Sequence, residues 1–318
     1  APLPYRVEIA AKMQPAKLPP IHLNTLTIKD ASLRDKFRLA RDAGFAGLEV
    51  GIGDVAPHLL TEIDKIEGRE RYLLERNEVE TDNVATAIAA ASGLIVDGVM
   101  PGTDVMMRWA HELDDGLLQS LDETCRTCAE LAGRYVVLPA LTDDGTPSDI
   151  ARNLREIGAL ARKHQVRLGL EPMGHARVVN TVSTALDVLD RAALDTGAGI
   201  ILDAFHFFRA GEGLQNLASL PSDRIVAVQI NDAISLPRAE LFGNRHRTFP
   251  GRGVFNVVGF CEAVLERGYK GPFTIEVMNP SIWSLSAQEI CREAFECGAA
   301  VLACATGSTV HCNEETEA

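Results

Sequence analysis

Eight short apolar runs alternate with helical patterns along this chain, and that alternation limits the folds open to it more than any other feature. The runs are Ile21–Thr27, Gly47–Val50, Gly93–Met100, Tyr135–Leu141, Val166–Met173, Gly199–His206, Arg224–Asp232 and 272–280. Each is too brief for a helix of useful length and too continuously apolar for a sheet with one wet face, so each reads as a strand buried on both faces. Between them lie helical patterns with recognisable ends. SLRDKFRLARDAG closes on Gly44 as a C′ residue, and the turn TDDGTPSD caps IARNLREIGALARKHQ. Strand and helix alternating in this way predict an α/β fold, a (β/α)8 TIM barrel in a single domain. An open doubly wound sheet is the alternative. It is disfavoured because no G-x-G-x-x-G follows the first run and no G-x-x-x-x-G-K-[ST] occurs.

The expected organisation is an irregular lead-in over 1–20, a barrel over 21–305 and a flexible acidic tail over 306–318. Two stretches depart from the regular alternation. TEIDKIEGRERYLLERNEVETDNVATAIAAA reads as an added charged helix before the third strand, and PGTDVMMRWAHELDD after that strand reads as a loop over one end of the sheet. A loop of more than twenty residues, AISLPRAELFGNRHRTFPGRG, follows the seventh strand and is too long to be a plain connector.

A formal charge of −13 argues against nucleic acid or an anionic membrane as partner. No apolar run approaches membrane-spanning length and the first twenty residues lack a signal-peptide core, so a cytoplasmic location is expected. The seven cysteines fit no metal-ligand spacing. The C-x-x-C of Cys125 and Cys128 sits inside a helical pattern and reads as two buried thiols.

Barrel enzymes carry their chemistry at the C-terminal ends of the strands. The last four ends offer Glu171 in LGLEP, Asp203 in ILDAF, Gln229 in VQIND and Glu276 in TIEVM. Any one of them has a plain structural reading: an ion pair for either glutamate, a helix cap for Asp203, a backbone hydrogen bond for Gln229, a loop cap for the nearby Asp232. Together they would gather three carboxylates and an amide oxygen at one point, and like charges so close repel unless a cation joins them. An all-oxygen set favours a hard divalent ion, Mg²⁺ or Mn²⁺, over zinc, with Co²⁺ as a further candidate. His206, three residues beyond Asp203, is placed as a proton shuttle or as a donor that orients a carboxylate. His175 and Arg177 are expected to line the mouth. Arg247, beside Arg245 and His246 in the long loop, is placed either to fold over the pocket and bind substrate or to sit in a solvated basic cluster.

These residues resemble those of the xylose isomerase-like TIM barrel superfamily, which includes sugar isomerases and epimerases, inosose dehydratases and endonuclease-type relatives. The resemblance is carried by Glu171, the D-x-x-H of Asp203 and His206, the position of Gln229, the R-x-F-P-G-x-G of Arg247 to Gly253, and Glu276. It extends from about Leu23 to Ala305, but its specific motifs all lie from Glu171 onward. Most ketose epimerases of the superfamily place a histidine ligand where this chain has Gln229. VQINDA with RTFPGRG is instead similar to bacterial 3-dehydroshikimate dehydratases, in which a glutamine serves.

The resemblance implies that Glu171, Asp203, Gln229 and Glu276 hold the metal, that His206 is the base and that Arg247 binds substrate. It implies a metal-dependent lyase acting on a keto-sugar or keto-cyclitol by α-proton abstraction and β-elimination. Two alternatives stay open. One is a sugar isomerase or epimerase in which Glu171 and Glu276 move protons on opposite faces; the other is the metal-binding α subunit of a C-glycoside deglycosidase. The expected partners are a small carbohydrate or cyclitol and a second copy or second subunit, with no nucleic acid or membrane.

Overall fold

The computed structural model of the chain describes residues 18–56 and 92–308. Eight parallel strands close into a barrel: β1 (Ile21–Asn24), β2 (Gly47–Gly51), β3 (Ile95–Met100), β4 (Tyr135–Pro139), β5 (Arg167–Glu171), β6 (Ala198–Asp203), β7 (Ile225–Ile230) and, last in the ring, β10 (Phe273–Ile275). Closure is made by Ile21 to Leu23 of β1 pairing with Phe273 to Ile275 of β10. A two-residue antiparallel ladder, β8 (Asp232–Ala233) with β9 (Arg247–Thr248), pins the long loop back on itself. The charged stretch between the second and third strands, most of the lead-in and most of the tail lie outside the described residues. Among those described, no helix is long and apolar enough to cross a membrane.

The helices begin and end where local chemistry directs. Thr146 and Asp149 form a reciprocal capping box with Pro147 opening the helix Pro147–His164, and Ser286 with Glu289 does the same for Ala287–Ala305. Gly44 closes Leu33–Ala43 at φ 107° and gives its N–H to Ala40 and Arg41, the left-handed position glycine fills without strain. The apolar faces of these helices meet the outer faces of the strands in one continuous core.

Two expectations need correction. The segment after β3 is not a plain loop: Thr103–Arg108 is helical. Val105 and Trp109 are buried there, with Trp109 Nε1 donating to Pro139 O at 2.7 Å, and this anchor makes a compact turn preferable to an open loop. The first strand ends at Asn24, after which Thr25–Ile28 turns as a 3₁₀ helix. Cys125 and Cys128 are buried free thiols, and burial pushes both up to about 12. Neither is a nucleophile at neutral pH.

The barrel interior is filled from alternate residues of the strands. Tyr135 and Val137 face inward and pack with Met100, Ile201, Val226 and Ala227. Gly98 makes room for the ring, since a Cβ there would lie 2.2 Å from Tyr135 Cε2.

At the N-terminal end of the barrel, His22 Nδ1 stands 3.6 Å from Asp97 Oδ2, and Asp97 also accepts from Arg134 Nη2 at 2.7 Å. Burial, opposed by Asp97 and assisted by Arg134, pushes the His22 imidazole down to about 4. A base held below its unfolded value stabilises the fold fully above that value and loses the contribution as pH falls toward 4. The expected loss between pH 7 and pH 5 is about 2 kcal/mol. Urea unfolding of wild type and His22→Gln at both pH values measures it as a difference, which removes the opposite drift from Glu49 and Asp232, two carboxyls raised by burial. Parallel pH curves for the two proteins would refute it.

Candidate active site

Because all eight strands run the same way, the polar residues ending them gather at one mouth. Asn24 ends β1, Glu171 ends β5, Asp203 ends β6, Gln229 lies within β7 and Glu276 directly follows β10. All five side chains are buried. Asp203 serves two purposes at once. Its Oδ1 caps the helix Ala204–Ala210 by accepting from His206 N at 2.8 Å, while Oδ2 accepts from Asn231 Nδ2 at 2.7 Å and faces Arg247 Nη2 at 3.3 Å. The helix-cap reading and the functional reading of Asp203 are therefore compatible.

Arg247 is brought in on β9, and Asn279 Nδ2 holds its carbonyl at 2.7 Å. Its guanidinium is 1% exposed, pairs with Glu276 as well as Asp203, and lies 5.3 Å from the centroid of the Phe205 ring. Of the three basic residues in that stretch, Arg247 is buried, while Arg245 is exposed and His246 half-buried. It answers the repulsion among the carboxylates. Glu171 and Glu276 are nonetheless both held above the usual carboxylate range, by burial first and then by neighbouring carboxylates that the Arg247 charge only partly offsets.

Glu49, in the second strand and outside the four strand ends singled out from sequence, joins this site. It is fully buried in β2 and accepts three hydrogen bonds: Asn24 Nδ2 and Gln229 Nε2 on Oε1, each at 2.7 Å, and the Tyr135 hydroxyl on Oε2 at 2.7 Å. Asn24 Nδ2 also donates to Glu276 Oε1 at 3.0 Å, linking the two carboxyls. Burial and the Glu276 charge push Glu49 up to about 7 against the pull of its three donors. GLEV carries a signal of its own, an acid inside an otherwise apolar run, and a carboxylate buried there needs a partner as much as one closing a later strand does.

His206 is buried, and its Nε2 lies 3.7 Å from Glu171 Oε1 and 3.3 Å from Arg247 Nη2. Burial, and then the nearby positive charge of Arg247, hold it well below its ordinary value, so the ring is neutral at pH 7. Its Nδ1 accepts from the Gly174 backbone N–H at 3.3 Å. We assign the tautomer from that contact: a neutral imidazole accepting at Nδ1 carries its proton on Nε2, toward Glu171, so the 3.3 Å approach of Arg247 Nη2 sets donor against donor and is not a hydrogen bond. Gly174 can come so close only without a side chain, because a Cβ would lie 2.2 Å from His206 O. Gly174→Ala is accordingly expected to destabilise the protein by about 1–3 kcal/mol and to shift the His206 ring nitrogen resonances. An unchanged nitrogen spectrum would show that the ring does not depend on this contact.

His175 is exposed, with its ring centroid 5.9 Å from that of His206, at the mouth. Arg177 is also exposed, its backbone N–H given to Asp143 at 2.9 Å, and no contact ties it to the carboxylate ring. Asp232 accepts the backbone N–H groups of Ala233, Gly253 and Phe255, a loop cap as its plain reading has it.

Ligand atoms of Glu171, Asp203 and His206 lie within 4.8 Å of one another, a grouping able to hold a metal ion. Glu276 stands on the Arg247 flank and Gln229 is reached through Glu49. Two buried amide oxygens, Gln229 Oε1 and Asn231 Oδ1, have no hydrogen-bond partner. An orphan oxygen of that kind beside carboxylates suits a hard cation.

The chain resembles known proteins in sequence and in fold. Residues 37–300 match the family model described as xylose isomerase-like TIM barrel. The chain is similar to a 3-dehydroshikimate dehydratase of Pseudomonas aeruginosa, 38% identical over 136 residues, which is 42% of this chain and 21% of that protein. It is similar to an inosose isomerase of Bacillus velezensis, 29% identical over 191 residues, 58% of this chain and 66% of that protein. The chain thus spans about a fifth of the first curated relative and just under two thirds of the second. Its fold also matches a crystal structure of the IolI protein with a bound zinc atom, at a TM-score of 0.71 and 20% identity, covering 89% of this chain and 98% of that one.

Proposed function

Because this chain belongs to the xylose isomerase-like TIM barrel family, we propose that it is a divalent-metal-dependent lyase removing water from a keto-sugar or keto-cyclitol. The observation that carries the reading is the unpartnered Gln229 Oε1, buried at the mouth that Glu171, Asp203 and Glu276 share. Those four residues would hold the ion, Mn²⁺ or Mg²⁺ by their all-oxygen character with Co²⁺ as a third candidate. When bound, it supplies Lewis-acid polarisation of the substrate carbonyl. The similarity to a dehydratase favours elimination.

The residues divide the remaining work. Glu171, whose Oε1 lies 3.7 Å from His206 Nε2, takes the proton from the carbon next to the carbonyl. The C–H electron pair becomes the C=C bond as the β C–O bond breaks. His206, neutral with a proton on Nε2, hydrogen-bonds the departing oxygen, and the proton held by Glu171 completes the water. The base role thereby falls to Glu171; His206, expected from sequence to be the base, would fill it only if Gly174 released Nδ1. Arg247 keeps Glu276 and Asp203 fixed, and His175 stands where substrate enters.

A sugar isomerase or epimerase is the second reading, favoured by two raised carboxyls, Glu171 and Glu276, flanking Asp203 and by similarity to an inosose isomerase. NMR in D₂O with Mn²⁺, using 3-dehydroshikimate, inosose and a set of keto-sugars, separates the two. Loss of a hydroxyl supports the lyase. Deuterium at the α-carbon without loss of water replaces it with the isomerase. Metal binding with no exchange on any substrate would move the chain toward a subunit that needs a partner, as in a C-glycoside deglycosidase.

A further inference from the structure

We propose that Glu49 is a positioning residue that orients the Gln229 amide, turning its oxygen toward the metal site; this rests on the metal-site reading above. A glutamine side chain has one acceptor end and one donor end, and nothing in its shape decides which faces the site. Here Gln229 Nε2 donates to Glu49 Oε1 at 2.7 Å. The flipped amide would set two oxygens at that same 2.7 Å separation, acceptor against acceptor, and would aim an NH₂ at the cation. Glu49 can impose the choice because it is itself held rigidly. Asn24 Nδ2 donates to the same oxygen and Tyr135 to the other, from strands β1 and β4 on either side. The Tyr135 ring reaches Glu49 past β3 only because Gly98 leaves it space. Asn24 also holds Glu276 Oε1, so one fixed frame sets both the amide and a carboxylate of the site.

The test removes the orienting carboxylate and then the need for it, read by metal binding and not by turnover. Mn²⁺ affinity is measured by calorimetry and by electron paramagnetic resonance for wild type, Glu49→Leu, Gln229→Glu and the double variant. Glu49→Leu leaves the Gln229 amide free to take either orientation, and its Mn²⁺ affinity is expected to fall about 10- to 100-fold. Gln229→Glu places two carboxylates against each other and is also expected to bind more weakly. In the double variant the carboxylate introduced on β7 presents an oxygen whichever way it turns and meets no carboxylate on β2. Affinity is expected to return to within a few-fold of wild type. A merely structural role for Glu49 would give no such return. Additive losses in the double variant, or full affinity in Glu49→Leu, would overturn the inference while leaving the metal site standing. Should wild type bind no Mn²⁺, Mg²⁺ or Co²⁺, the metal-site reading falls and this inference falls with it. If a single variant does not fold, the double variant alone still decides between return and loss.

Discussion

Replacing Arg247 with methionine is expected to cost about 3–5 kcal/mol of folding stability at neutral pH, the usual result of removing one partner from a buried ionic cluster. The guanidinium is 1% exposed and is shared between Glu276 and Asp203, with Glu171 close enough to add to the field on it. Methionine fills much of the volume and keeps the contact with Phe205, but it leaves the carboxylates with no positive charge among them. That loss should be open to repair from outside. A divalent ion that binds the folded state at about a hundred times its dissociation constant returns about 2.7 kcal/mol, so Mn²⁺ should raise the unfolding midpoint of Arg247→Met well above its metal-free value. Urea unfolding with and without Mn²⁺ measures both effects. A variant as stable as wild type would show that the cluster does not need Arg247, and a variant indifferent to Mn²⁺ would count against a metal at these carboxylates.

Glu171→Gln should behave in the opposite way, with a large effect on turnover and little on stability. Glu171 is buried, and the basic group it faces is His206, with Nε2 at 3.7 Å, so removing its charge breaks no close ion pair and spares the fold a desolvated carboxylate. If Glu171 takes the α-proton as proposed, its loss lowers the rate of water elimination by about 10²–10⁴-fold. On the same proposal His206→Asn removes a hydrogen-bond donor and not the base, and should lower it less. The ranking of the two variants tests the tautomer assignment directly: a greater loss for His206→Asn would return the base role to the histidine. The comparison is made on whichever keto-substrate loses water in the NMR assay, with unfolding midpoints measured beside the rates.

What was legible in the sequence was legible for local reasons. An apolar run that will be covered on both sides looks the same wherever it falls in a barrel, so the strand order could be read before any packing was known. The Gly44 helix end and the Thr146 cap were equally plain, because a cap is made by residues a few positions apart. Strand-end acids were readable by the same logic, since a carboxylate closing a buried strand must find a partner. The turn at Thr103–Arg108 was missed because its cause is not local: Trp109 is anchored on Pro139 of the next strand.

The sequence by itself pointed to a barrel and to Glu171, Asp203, Gln229 and Glu276 at the ends of four of its strands, and it left Arg247 between the pocket and a solvated basic cluster. Only the tertiary structure decided what those residues do to one another. Arg247 is drawn into the carboxylates because β9 folds back on β8 and carries it inside. His206 presents Nε2 as a donor because Gly174, 32 positions away in the chain, gives its N–H to the other nitrogen. Glu49 belongs to the site because Tyr135 reaches it past β3 from 86 positions on, and Gln229 meets it from 180 positions on. Propensity and periodicity report on neighbours within a few residues. The orientation of an amide, the tautomer of a ring and the partner of a buried charge depend on atoms that chain closure alone brings within hydrogen-bond reach.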